Sequence, residues 1–296
     1  MGKFSYFLGI DQTGAATNQG QKAKPLKVCF AQKERGKWTV HTQTQTKTPL
    51  TLPCLSPTSL RLFLGKFGVT WPNPKLAIIA DCVFGMPEEI FPTTPGNTPE
   101  ENLWNLFSKT LNHRYDEALF GLKVSESFFS TFIASNKTPP KRECEKFSGS
   151  NSLFTTRPFQ KNIQTGSYRI WRDMVCETSK PWLNIWPFVS KENFNGRTAW
   201  IFEGYPTFMW KQLLGLPTRN TLALIKLLSS GPFKSRFKFD SFSLLKADPD
   251  LSDAAVLALG GVILQDQNKL MTPFKGFWKL TTRSKEGWIS GIEPPP

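Results

Sequence analysis

Apolar residues along the chain gather into short runs, and several of those runs stop at an acid. Phe4 to Asp11 is one such run, and Lys75 to Asp81 (KLAIIAD) is another, apolar without alternation, as expected of a strand buried on both faces. Between them, Lys27–Glu34 and Lys37–Thr46 are β-rich and are joined by Arg35-Gly36, a hairpin-sized connection, so three antiparallel strands are predicted. Ser56-Pro57 opens a helix in which Leu60, Phe63, Leu64 and Phe67 recur at helical spacing.

The rhythm breaks over residues 84–196. That stretch holds a proline-rich loop (Met86–Pro99), a helix from Pro99 to Phe107, helical character around Tyr115–Phe120, and a polar stretch, Asn136–Gly166, expected to be partly mobile. It reads as a mostly helical and loop insertion, partly covering the site, within a single domain spanning 1–296. Regularity resumes at Arg197–Glu203 (RTAWIFE), again a strand ending in an acid. Helical stretches follow at Thr207–Leu214 and Arg219–Leu228. Leu251–Leu264 is apolar nearly all round and therefore predicts a buried helix. A strand–strand–strand–helix–strand opening predicts an α/β fold of the ribonuclease H-like kind. Its sheet is mixed, an antiparallel meander plus parallel strands, with helices on its flanks. The actin-like ATPases share that opening.

Charge and composition narrow the chemistry. Thirty-seven Lys and Arg against 23 Asp and Glu give a formal +14, an excess that favours nucleic acid or another polyanion as partner. Five scattered cysteines without a CxxC pair and only two histidines, His41 and His113, disfavour a zinc site or a Cys–His nucleophile and point to a reducing, cytoplasmic setting. The longest apolar stretch, Ala254–Leu264, is shorter than the roughly 20 residues a bilayer requires, so no membrane partner is expected. The N-terminus reads neither as a signal peptide nor as a myristoylation site.

Catalysis, if present, therefore leans on carboxylates. Asp11, Asp81 and Glu203 each end an apolar strand, where open α/β sheets place their ligands. Asp253 can join them from the first turn of the last helix. Convergent carboxylates repel one another unless cations lie among them, so Mg²⁺ or Mn²⁺ is expected. Two ions roughly 4 Å apart would clamp a phosphate. Asp11 would bridge them, Asp81 and Glu203 would hold one each, and Asp253 would complete the second or orient water. Taken singly, Asp11 could instead start a turn, Asp81 could be an ordinary strand-end acid, and Asp253 could be a helix N3 residue behind an Asp250 N-cap.

The segments GIDQTG, IIADCVFGMP, IFEGYP, DLSDAAVLALGG and EGWISGIEP resemble, in order along the chain, the motif series of domain of unknown function 429, a family described as RNase H-fold nucleases. The resemblance implies that Asp11, Asp81, Glu203 and Asp253 form a metal site. Two departures stand out. Cys82-Val83-Phe84 replaces a small residue and a proline, and the acid pair of the helix is reduced to Ser252-Asp253, leaving Asp250 as a substitute ligand.

Two basic groups are candidates for gripping nucleic acid. Arg169 and Arg172 lie three apart and share a face if helical, a spacing suited to bidentate phosphate contact or to an ordinary surface pair. Phe233–Phe239 (FKSRFKF) alternates with period two, so as a strand it would present Lys234, Arg236 and Lys238 on one face. It could equally be an edge strand with its phenylalanines in the core. The leading expectation is a metal-dependent nuclease. A non-catalytic nucleic-acid binder or scaffold on the same fold is the alternative. An actin-like ATPase is disfavoured because no second phosphate loop follows Asp11-Gln12-Thr13-Gly14.

Overall fold

The computed structural model describes residues 3–12, 24–112, 122–133, 140–154, 163–178, 180–189 and 198–294. Its strands are β1 Tyr6–Asp11, β2 Leu26–Glu34, β3 Lys37–His41, β4 Thr51–Leu52, β5 Leu76–Ala80, β6 Asn184–Ile185, β7 Trp200–Glu203 and β8 Phe237–Phe239. They form one mixed sheet in the order β6-β7-β5-β1-β2-β3-β8, with β4 alongside β2. The expected meander is present: β2 runs antiparallel to β1 and β3 antiparallel to β2. Strands β1, β5, β7 and β6 run parallel, with Ile10 opposite Ala80 and Ala80 opposite Glu203. Their C-terminal ends therefore meet at one edge of the sheet.

Helices cover both faces. The helices are α1 Pro57–Gly65, α2 Pro99–Asn112, α3 Leu122–Ser130, α4 Glu143–Ser148, α5 Ile163–Val175, α6 Pro206–Phe208, α7 Thr221–Leu228, α8 Gly231–Arg236, α9 Ser243–Ala247, α10 Pro249–Asp266 and α11 Arg283–Glu286. One core joins Leu8, Ile10 and Ile78 to α1, α2 and α5, including Trp171 and Phe107. The other joins Phe7, Ile79 and Phe202 to α10. This pairing follows from the strict two-residue period of the strands, which sends successive side chains to opposite layers. The stretch read as an insertion thus supplies much of one helical layer.

Helix α10 is the element that fixes the site. It lies across β1, β2 and β5, and its residues from Leu251 to Gln265 are all buried. Gly9 lets it come close: a Cβ there would collide with the Ala254 carbonyl and the Ala258 amide. Small residues on both partners therefore bring the helix backbone onto the strand and carry Asp253 to the end of β1.

Several expectations need correction. The cap of α10 is Asp248, whose side chain accepts from the amides of Asp250 and Leu251 at 3.1 Å, so the helix begins two residues before Leu251 and Asp250 is not its cap. The strand expected over Lys37–Thr46 ends at His41 in a turn. The helix expected over Thr207–Leu214 starts at Pro206 and continues as a π-turn over Met209–Leu213. Phe233–Phe239 is not one strand. Pro232 in the first turn of α8 favours a helix there, and only Phe237–Phe239 is extended. Within the stretch Asn136–Gly166, α4 and the start of α5 are ordered helices. The helical reading of Tyr115–Phe120 falls outside the described residues. Among the described residues, no helix is long and apolar enough to cross a membrane.

Candidate functional site

A cavity of about 270 Å³ opens at the shared end of β1, β5 and β7. Asp11, Asp81, Glu203 and Asp253 all line it, although the first and last are 242 positions apart in the chain. Asp11 is the last residue of β1 and Glu203 the last of β7. Asp81 follows β5, its amide donating to Ile10 O at 2.9 Å, which seats it beside Asp11. The tail completes the rim: Ile289 bridges to Glu203, and the Ser290 amide donates to Glu203 O at 2.9 Å.

The four acids are not in equivalent surroundings. Asp81 accepts a hydrogen bond from Gln12 Nε2 at 3.4 Å, and the Asp11 carboxyl is hydrogen-bonded to it. Burial, with the charge of Asp253 next and that of Glu203 last, outweighs both hydrogen bonds and pushes Asp81 up to about 7. Asp81 therefore keeps its proton to a far higher pH than an ordinary carboxyl does.

Glu203 is matched instead by an arginine. Its Oε1 accepts from Arg142 Nη2 at 2.5 Å, and its Oε2 from Arg142 Nη1 at 2.7 Å and from the Phe84 amide at 3.2 Å. Arg142 precedes α4 and is only 1% exposed. Its Nε donates to Glu145 Oε1 at 2.8 Å and its Nη1 to Glu286 O at 3.0 Å. Burial alone would lower the Arg142 pKa, but Cys144, Glu145 and Glu203 beside it raise it, so the group stays charged.

Asp253 is held in a similar way. Trp210 Nε1 donates to its Oδ1 at 2.7 Å and Arg219 Nε to its Oδ2 at 2.8 Å. Burial raises its pKa, and Trp210 and Arg219 oppose that rise. Arg219 adopts φ 59°, an uncommon conformation for a side-chain-bearing residue, at the cavity mouth. Its Nη1 makes no hydrogen bond among the described residues. Asp250 lies outside the cavity, 3.5 Å from Arg219 Nη2.

No family model, curated protein or solved structure matches the chain. Among the described residues, no cluster of three or more Asp, Glu, His or Cys side chains is arranged as a ready metal cage. The donor chemistry accounts for this, because Glu203 and Asp253 turn their oxygens to guanidinium and indole donors. Asp11 and Asp81, next to Gln12, carry oxygens of the kind a hard divalent ion takes.

The basic candidates lie elsewhere. Arg169 points inward, donating to Lys24 O and, at 3.0 Å, to Pro53 O, so it ties the β2 approach and the Pro53 loop to α5 rather than facing a ligand. Arg172 is on the same helix, half-buried and outside the cavity lining. Lys234 and Lys238 are exposed, while Arg236 pairs with Asp266 and lies over the Phe237 ring. All three sit at the β8 end of the sheet, three strands from β1, so they do not join the acids.

Sequence reasoning missed Arg142 and Arg219. Neither stands out among 37 basic residues. The one local sign was Arg142-x-x-Glu145, where the Glu145 side chain accepts from the Arg142 amide at 3.0 Å to start α4.

Proposed function

We propose that the chain is a divalent-metal-dependent nuclease of ribonuclease H-like type, akin to the domain of unknown function 429 family. The observation that carries the reading is the meeting of Asp11, Asp81, Glu203 and Asp253 in one cavity at the C-terminal ends of three adjacent parallel strands. The strand order supports it, since a three-strand meander followed by parallel strands beyond β1 is what that fold requires. The net charge of +14 supports a polyanionic substrate.

In this reading Asp11 and Asp81 would hold a Mg²⁺ or Mn²⁺ ion. When bound, such an ion polarises a phosphoryl oxygen and lowers the pKa of water. Asp81 would have to give up its proton to ligate such an ion. Gln12 orients Asp81. Arg142 pairs with both oxygens of Glu203 and fixes them. Arg219, half-exposed at the mouth with Nη1 unpaired among the described residues, donates to a phosphate oxygen.

The test is a panel of labelled single-stranded, duplex and branched DNA and RNA, incubated with Mg²⁺ or Mn²⁺. Cleavage of at least one substrate is expected, with Asp81→Asn and Asp11→Asn reducing it by at least about 100-fold. No cleavage of any substrate by the wild type contradicts the proposal. The saturation of Glu203 and Asp253 by arginine and indole donors favours one second reading, a nucleic-acid-binding protein in which these pairs are structural. Retained binding without cleavage would be its signature.

A further inference from the structure

We infer that Cys54 and Cys176 form a modification site, a dithiol that reacts with a low-molecular-weight disulfide and closes into an intrachain Cys54–Cys176 bridge. Neither residue lines the acid cavity, and the inference does not depend on the ion-dependent reading above.

Burial singles out the pair. All five cysteines are free thiols. Cys29, Cys82 and Cys144 are 0%, 1% and 0% exposed, whereas Cys54 is half-buried and Cys176 exposed. The two thiols that solvent reaches are 122 positions apart in the chain, yet the fold brings their segments together.

Four hydrogen bonds do so. Arg169 Nη2 donates to Pro53 O at 3.0 Å and the Leu55 amide to Asp173 Oδ2 at 3.2 Å. Ser56 Oγ donates to Glu177 Oε1 at 2.6 Å and the Thr58 amide to Glu177 Oε2 at 3.1 Å. Residues 169, 173 and 177 recur every four positions, so the loop from Pro53 to Thr58 lies along one side of the end of α5. Cys54 sits within that loop. Cys176 sits between Asp173 and Glu177, the two acids that hold the loop. The Cys54 thiol donates to Ser56 Oγ at 3.5 Å, the same hydroxyl that is bonded to Glu177, so it is turned toward the Cys176 end. The two sulfurs are within electrostatic reach: burial first, then the charges of Asp173, Cys54 and Glu177, pushes Cys176 up to about 11.

The reaction balances with an external disulfide as oxidant. The Cys54 thiolate attacks one of its sulfurs and expels one thiolate, leaving a mixed disulfide on Cys54. The Cys176 thiolate then attacks the Cys54 sulfur and expels the second. The two cysteines lose two electrons, the oxidant is reduced to two thiols, and the protons of Cys54 and Cys176 pass through water to the leaving thiolates. Because Cys176 is seldom a thiolate at neutral pH, the first attack belongs to Cys54 and closure is the slow step. The bridge fastens the C-terminal end of α5. That helix also holds both backbone groups of Val83 at the cavity wall, through Ser167 Oγ at 3.0 Å and Trp171 Nε1 at 2.6 Å.

The experiment incubates the reduced full chain with glutathione disulfide at pH 8.5, then counts thiols in denaturant and maps peptides by mass after digestion without reductant. One cross-linked pair of peptides, carrying Cys54 and Cys176, is expected, with the thiol count falling from five to three and restored by dithiothreitol. Cys176→Ser should stop at a single glutathione on Cys54. A glutathione on each of the two cysteines without a cross-link overturns the inference. So does a bridge between two chains, a bridge through Cys29, Cys82 or Cys144, or a chain that keeps all five thiols. If Cys176→Ser fails to fold, the wild-type peptide map and thiol count decide alone.

Discussion

At the residue scale the site is a set of acids in unlike environments, and Asp81 shows the consequence most clearly. Its folded pKa, about 7, lies above the ordinary 3.8, so the folded protein binds this proton more tightly than the unfolded chain does. The stabilisation from that proton is full below about pH 4 and is lost as pH rises through 7. For the metal-free protein, Asp81→Asn should therefore raise stability at pH 8, by roughly 2–4 kcal/mol, and change it little at pH 4. Thermal unfolding at the two pH values checks this. An equal shift at both, or destabilisation at pH 8, would mean that Asp81 carries no such burden. Strain of this kind is expected where a group is kept for chemistry rather than for stability.

At the element scale the decisive contact is α10 on β1. Gly9→Ala would place a methyl group against the Ala254 carbonyl and push the helix off the strand. A cost of about 1–3 kcal/mol is expected from the overpacking alone. Because Asp253 rides on the displaced helix, the indole hydrogen bond from Trp210 should loosen as well. Denaturant unfolding, with Trp fluorescence as probe, measures both, and an unchanged midpoint would refute the close-packing account.

The same scale shows what was legible in the sequence. Runs such as KLAIIAD betray themselves because both faces of the strand are buried, and the final helix because it is apolar all round. The start of helix α5 was hidden because it falls in the polar stretch that ends at Gly166, whereas Gly166 is small to admit Gln12 and the next residue, Ser167, accepts from the Val83 amide at 3.0 Å. FKSRFKF misled because its alternation is a strand period, while Pro232 starts a helix just upstream.

At the scale of the whole molecule a chain of net +14 gathers five of its 23 acids in one cavity. On the proposed reading, the long-range field would attract a phosphate polymer while the local field would repel its scissile phosphate. A cation among the carboxylates would reconcile the two. The convergence of Asp11, Asp81, Glu203 and Asp253 could be foreseen because strand-end acids on neighbouring parallel strands share an edge by topology. The arginines that match two of them could not, because α4 and the Thr218–Asn220 turn reach the cavity through tertiary packing that no local pattern encodes. The most direct test is an anomalous difference map from crystals soaked in Mn²⁺. A peak bound by Asp11 and Asp81 is the predicted result. A cavity without a peak, at a concentration that saturates ordinary Mn²⁺ enzymes, would contradict the reading of these carboxylates as a cation site.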